Sequence, residues 1–299
     1  MLIAVNNPID AKKAITSSLR SGRGDTITLH GNFRDWRPYD FDFTGKKRLT
    51  IVAAPDCDWQ GFFGGRFANV AFSGKIKPST AMPAFRADSI SDVVFDHLEI
   101  TANDPAKGQA MALSNAARLD FDTMHVHDIH QGICGLNATD WRIHNHLIER
   151  MGNDAIQIFA FKNLTIEDGV TRYPMHAVTD QDHPDGAQTR SAASPCLNYI
   201  FRRNYVQSRG QGIYLGNDLH IPVAYRHVSI TDNIVIAGTR GAIHVWDADD
   251  VTVTGNHVYT NPEHDYPADI VLRGACSNVR NSGNTVHPVG TAIPLSTLG

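Results

Sequence analysis

Two short segments hold the residues best suited to chemistry. Asn153-Asp154-Ala155-Ile156-Gln157 and Asp185-Gly186-Ala187-Gln188 each set a glutamine three residues after an aspartate, with a small residue directly after the acid. If the two aspartates occupy equivalent places on neighbouring strands, they stand about 4.8 Å apart at the backbone. Like charges that close repel, so one carboxyl of the pair should keep its proton to higher pH. An acid beside a carboxylate is what general acid–base chemistry at a glycosidic bond requires. Strand spacing leaves the retaining and inverting geometries both open, because carboxyl groups can splay from adjacent strands. The same pair could instead form half of a Ca²⁺ site completed by Gln157, Gln188 or loop oxygens. The hydrolytic reading requires no cofactor.

Further candidates follow in the neighbouring segments. Gln211 and Tyr214 lie in Gln211-Gly212-Ile213-Tyr214, and His244 and Trp246 in Ala242-Ile243-His244-Val245-Trp246. Gln157, Gln188, Gln211 and His244 suit hydrogen bonds to sugar hydroxyls, and Trp246 suits stacking on a sugar ring. Arg190 and Arg240 could hold a carboxylate or sulfate. His183, just ahead of Asp185, can act as acid or base near neutral pH. Tyr214 could protonate or deprotonate a sugar in a lyase-type step.

These residues need a scaffold that repeats. A small residue followed by an apolar, outward, apolar triplet recurs from Ala110 to Ala292 at spacings of 22 to 31 residues. A second alternating segment follows each time, as in Leu164-Thr165-Ile166 or Val251-Thr252-Val253, and the later units then reach Asn204, Asn233, Asn256 and Asn284. Three short strands per turn of about 22 residues describe a parallel β-solenoid. A propeller blade needs four strands and about 40 residues. The asparagine column predicts a turn ladder, with asparagine tolerating left-handed backbone and bonding to its equivalent in the next coil. Pro8 to Leu19 has helical spacing and ends at Gly22, which predicts a helix capping the first coil. The reading is therefore one β-helix domain over 1–299, with a cap over 1–24 and about ten coils over 25–299.

The cap helix, the Gly24-Asp25-Thr26-Ile27-Thr28-Leu29 opening, the strand triplets and the asparagine column resemble the right-handed parallel β-helix of the pectin-lyase-like superfamily. Within it, the 153–157 and 183–188 segments look like the aspartate-bearing strands of polygalacturonase-like glycoside hydrolases, and Gly210-Gln211-Gly212 looks like their Gly-His-Gly strand. The resemblance implies catalytic carboxylates at Asp154 and Asp185. It departs from the family at Pro184, where the first of two paired aspartates would stand, and at Gln211, where a histidine would.

Composition narrows the partners. The formal net charge is −4 and charged residues make up 19% of the chain, which lacks the basic surface of a nucleic-acid protein. No apolar run reaches membrane-span length. Cys57, Cys134, Cys196 and Cys276 are far apart and read as free thiols. Met1 to Pro8 lacks the pattern of a secretory leader, so the expectation is synthesis in the cytoplasm with action in a virion or outside the cell. The insertions at 168–184, 216–226 and 261–267 should wall the polar strip. The expectation is a polysaccharide-degrading enzyme, a monomer or homotrimer, with hydrolysis preferred. A lyase or uronate epimerase using His183, Tyr214 or Arg190, and a non-catalytic spike or adhesin like those of phage tails, are the alternatives.

Overall fold

The computed structural model describes all residues except 35, 38–39, 79–82, 103, 105, 107, 173–183, 192–193, 265 and 295–299. About eleven turns form a right-handed parallel β-helix with three faces. The face relevant here, the first sheet, stacks Phe62–Gly64, Pro83–Asp88, the leading parts of Gln109–Asp122, Gln131–His144 and Ile156–Glu167, then Ala187–Arg190, Ile213–Gly216, Gly241–Trp246 and Asp269–Arg273. The second sheet begins with Leu2–Val5 and Thr26–Leu29, and later includes Tyr199, Val228 and Val251 in register. The third runs from the ends of Phe67–Ile76 and Ser91–Thr101 through His125–Ile129 and Tyr205–Gln207 to Thr285–Val286.

Alternation explains the register. Every second residue of a strand points inward, so the inward set must be apolar or the coil cannot close. Ile156, Ile213, Ile243 and Val245 are fully buried, as are Ile166, Ile230 and Val253 from the second sheet. Phe72, Phe95 and Phe121 stack rung on rung at 5.8 and 4.9 Å between ring centres, each burial contributing about 1.5–3 kcal/mol. The small residue ahead of each first-sheet strand has a steric reason. A Cβ on Gly132 would stand 2.0 Å from the Ala155 carbonyl oxygen of the next coil.

The helix covers Pro8–Ser21. Asn7 caps it by accepting from the Asp10 N–H, and Gly22, at φ 65°, ends it. Ala11, Ala14, Ile15 and Ser18 are its buried residues. The strand Leu2–Val5 ahead of it pairs with Thr26–Leu29, so the region expected to be cap alone contributes a strand as well.

The asparagine column forms a ladder with one correction. Asn204 N–H donates to Asn233 Oδ1, Asn233 N–H to Asn256 Oδ1 and Asn256 N–H to Asn284 Oδ1, at 2.9, 3.1 and 2.9 Å. The left-handed conformation belongs to the residue before each asparagine: Arg203, Asp232, Gly255 and Gly283. That turn drives the amide inward, where Asn233 and Asn256 are completely buried. Among the described residues no helix is long and apolar enough to cross a membrane, and all four cysteines are free.

Candidate functional site

The expected outer strip exists as one column of the first sheet. Cα register pairs Cys134 with Gln157, Gln157 with Gln188, Gln188 with Tyr214, Tyr214 with His244, and His244 with Val271. Asp154, Asp185 and Gln211 follow one another on successive rungs just ahead of it, since Ala155 N–H bonds Asp185 O and Gly186 N–H bonds Gln211 O.

The polar side chains are joined in a continuous chain of hydrogen bonds. Gln131 donates to Gln157 Oε1 at 2.9 Å, and Gln157 Nε2 donates to both Asp154 Oδ2 at 2.6 Å and Gln188 Oε1 at 2.8 Å. Gln188 Nε2 in turn donates to Asp185 Oδ2 at 2.9 Å, and the Gln211 backbone N–H to Asp185 Oδ1 at 2.7 Å. Asp154 Oδ1 accepts from the backbone N–H of Asp185 at 3.1 Å, so the lower carboxylate positions the upper one. Both aspartates are buried. Burial pushes the Asp185 carboxyl up to about 7, against the opposing pull of its two hydrogen bonds and the Arg190 charge. The elevated acid expected from repulsion is thus produced first by desolvation.

Asp185 opens into a cleft of about 360 Å³ lined also by Gln188, Arg190, Gly210, Gln211, Tyr214 and Thr239; Asp154 is not among its lining residues. Arg190 forms an ion pair with Asp218 at 2.9 Å and lies 5.7 Å over the Phe159 ring. Burial, and next the Asp218 charge, push the Tyr214 phenol up. His244 is held at both ring nitrogens. The Trp246 indole N–H can only donate, so His244 Nε2 accepts it, and the Gln211 amide nitrogen stands 3.3 Å from His244 Nδ1. Burial first, and the Arg273 charge second, lower His244 to about 4, so it is neutral at pH 7. Trp246 therefore fixes a histidine, and Arg273 lies 5.6 Å over its ring. Arg240 stands apart, 5.8 Å over Tyr266. His183 lies outside the described residues, as does most of the 168–184 insertion.

The Ca²⁺ alternative meets the wrong donors. Amide and backbone N–H groups face both carboxylates, where a cation needs oxygens. Among the described residues no group of three His, Cys, Asp or Glu is arranged to hold a metal.

Three further placements differ from expectation. The 216–226 insertion follows the first-sheet strand Ile213–Gly216 and leads to Tyr225–Thr231, so it borders the opposite edge from 261–267. His125, His127, His144 and His146 have no regular spacing in the sequence, which predicts surface turns; instead His125 and His127 are on the strand His125–Ile129, paired with Glu149 and Glu99, and His144 and His146 are buried. A larger concavity on this face lies over earlier coils. It measures about 1060 Å³ and is lined by Arg37, Phe63, Arg86, Ala112, Cys134 and Phe159 among others. Sequence reading passed over these residues because Ala112 and Cys134 looked like gaps in a polar strip. The signal was their register with Gln157.

The chain has the right-handed parallel β-helix fold. No protein-family model and no curated protein matches its sequence. Among solved structures it is similar to PfbA, a surface adhesin of Streptococcus pneumoniae, with a TM-score of 0.53 and 10% identity over 95% of this chain and 93% of that one. It is also similar to the Dettilon tailspike protein, with a TM-score of 0.46 and 11% identity over 90% and 68% of the two chains. A third is the Yersinia enterocolitica Family 28 exopolygalacturonase, at 0.46 and 12% over 96% and 79%.

Proposed function

We propose that the chain binds a polysaccharide along the first sheet and hydrolyses it at the cleft, with Asp185 as general acid. The observation that carries this reading is a buried carboxyl, protonated up to about pH 7, opening into a cleft whose other polar side chains are two amides, a guanidinium, a phenol and the Thr239 hydroxyl. In the proposed step Asp185 gives its proton to the glycosidic oxygen as that bond breaks, and water supplies the hydroxyl that bonds to the anomeric carbon, its other proton passing to solvent. Gln188 and the Gln211 N–H then hold the carboxylate that remains. Asp154 serves through the Asp185 backbone and through Gln157.

Elimination is less well served. A lyase needs a base, but the Tyr214 phenol is pushed up by burial and both nitrogens of His244 are engaged. One observation favours binding without cleavage: Asp185 is the single carboxylate among the cleft's lining residues. Kinetics on Asp185→Asn and Asp154→Asn separate the two. As a general acid, Asp185 should lose on the order of 10²–10⁴-fold in kcat when replaced, with glycan binding preserved. Turnover retained in Asp185→Asn would overturn the reading.

A further inference from the structure

The trough over the N-terminal coils has no part in the chemistry at Asp185, yet it belongs to the same column. Phe63 pairs in register with Arg86, Arg86 with Ala112, and Ala112 with Cys134, which leads to Gln157. Arg37 follows Trp36, which bridges to Phe62, and so sits one rung below Phe63. The small side chains of Ala112 and Cys134 form the floor, while Phe63 and Phe159 are at either end.

Charge distinguishes the trough from the cleft. Arg37 lies 5.4 Å over the Phe63 ring, and Arg86 stands on the far side of that ring's rung. Both arginines are exposed, and among the described residues neither has a carboxylate partner, whereas Arg190 is paired with Asp218. Asp88, the acidic residue of the lining, takes its hydrogen bonds from Ser114, Asn115 and Ser89. Two guanidinium forks with no carboxylate partner among the described residues, two rungs or about 10 Å apart at the backbone with an aromatic ring between them, match a sugar ring that carries an anion.

We infer that this trough binds an acidic stretch of glycan, its carboxylate or sulfate groups paired with Arg37 and Arg86 and a sugar ring against Phe63. The inference rests on the polysaccharide reading for the ligand being a chain, and is independent of cleavage. Arg86 is four rungs from Gln188, so a glycan occupying both trough and cleft spans at least about 19 Å.

Affinity electrophoresis through gels containing polygalacturonate, dextran sulfate or neutral dextran tests this. Asp185→Asn should be retarded like the wild type by at least one acidic polymer, and by dextran not at all. Which acidic polymer retards it distinguishes carboxylate from sulfate. The double variant Arg37→Gln/Arg86→Gln should bind at least about tenfold more weakly, with the retardation fading as salt is added. Arg280→Gln, at an exposed arginine on the second sheet, should behave as wild type. Equal retardation of wild type and double variant, or none by either acidic polymer, overturns the inference. Arginine-dependent retention without any turnover would overturn the catalytic reading alone, and turnover with arginine-independent retention would overturn this one alone.

Discussion

Asp185→Asn should flatten the dependence of folding stability on pH. In the folded chain burial holds the Asp185 carboxyl near 7, whereas its ordinary value is 3.8. Between those values the folded state keeps the proton and the unfolded chain releases it, so stability falls as pH rises. The contribution is fully present below 3.8 and is lost as pH climbs through about 7. At about 1.4 kcal/mol per unit, the two units from pH 5 to the folded value amount to about 3 kcal/mol. Asparagine cannot titrate and should keep that amount. It also sets an amide against the Gln188 amide, which lowers its stability by about 1 kcal/mol at every pH. Urea denaturation of both proteins at pH 5 and pH 8 measures the difference of differences, in which all other titrating groups cancel. Identical pH dependence in the two proteins would refute the reasoning, because the carboxyl would then be ionised at neutral pH in the folded chain and could not act as the acid.

Two other predictions concern the scaffold. Ile243→Ala empties a fully buried inward site and should lower stability by about 2–5 kcal/mol, while Gln157→Ala, which leaves Asp154 Oδ2 short of a donor, should lower it by about 1–3 kcal/mol; an Ile243→Ala midpoint in denaturant equal to that of the wild type would show the register to be wrong. Asn256→Ala strips the Asn233 N–H of its acceptor in a dry turn and should destabilise by about 1–3 kcal/mol, with hydrogen exchange accelerating first at Asn233; unchanged exchange there would remove the ladder from the stability account.

The coils from Ala110 onward were legible because their inward triplets alternate strictly, which fixes face and register together. The same alternation brought Gln157, Gln188, Tyr214 and His244 into one column. The earlier coils were not readable this way. Gly61 and Ala84 keep the small residue, but Phe62-Phe63-Gly64 and Phe85-Arg86-Ala87 stand where later coils have an aliphatic triplet, so the motif disappears although the rung persists. Smallness also misled: at Ala112 and Cys134 a missing side chain is what creates the trough. The spacing of His144 and His146 suggests surface residues, although both are buried, because strand alternation breaks at the corner beside Asn145, whose φ is 52°. The network joining Asp154 to Asp185 depends on side-chain rotamers, which spacing does not encode.

Cleavage in ¹⁸O-labelled water, with the products of a glycan panel read by mass spectrometry, bears most directly on glycan hydrolysis through Asp185. Wild-type protein should release fragments in which each new reducing end carries one oxygen from the labelled water, and Asp185→Asn should release almost none. Unlabelled fragments with an unsaturated, ultraviolet-absorbing end, or equal yields from the variant, would contradict it.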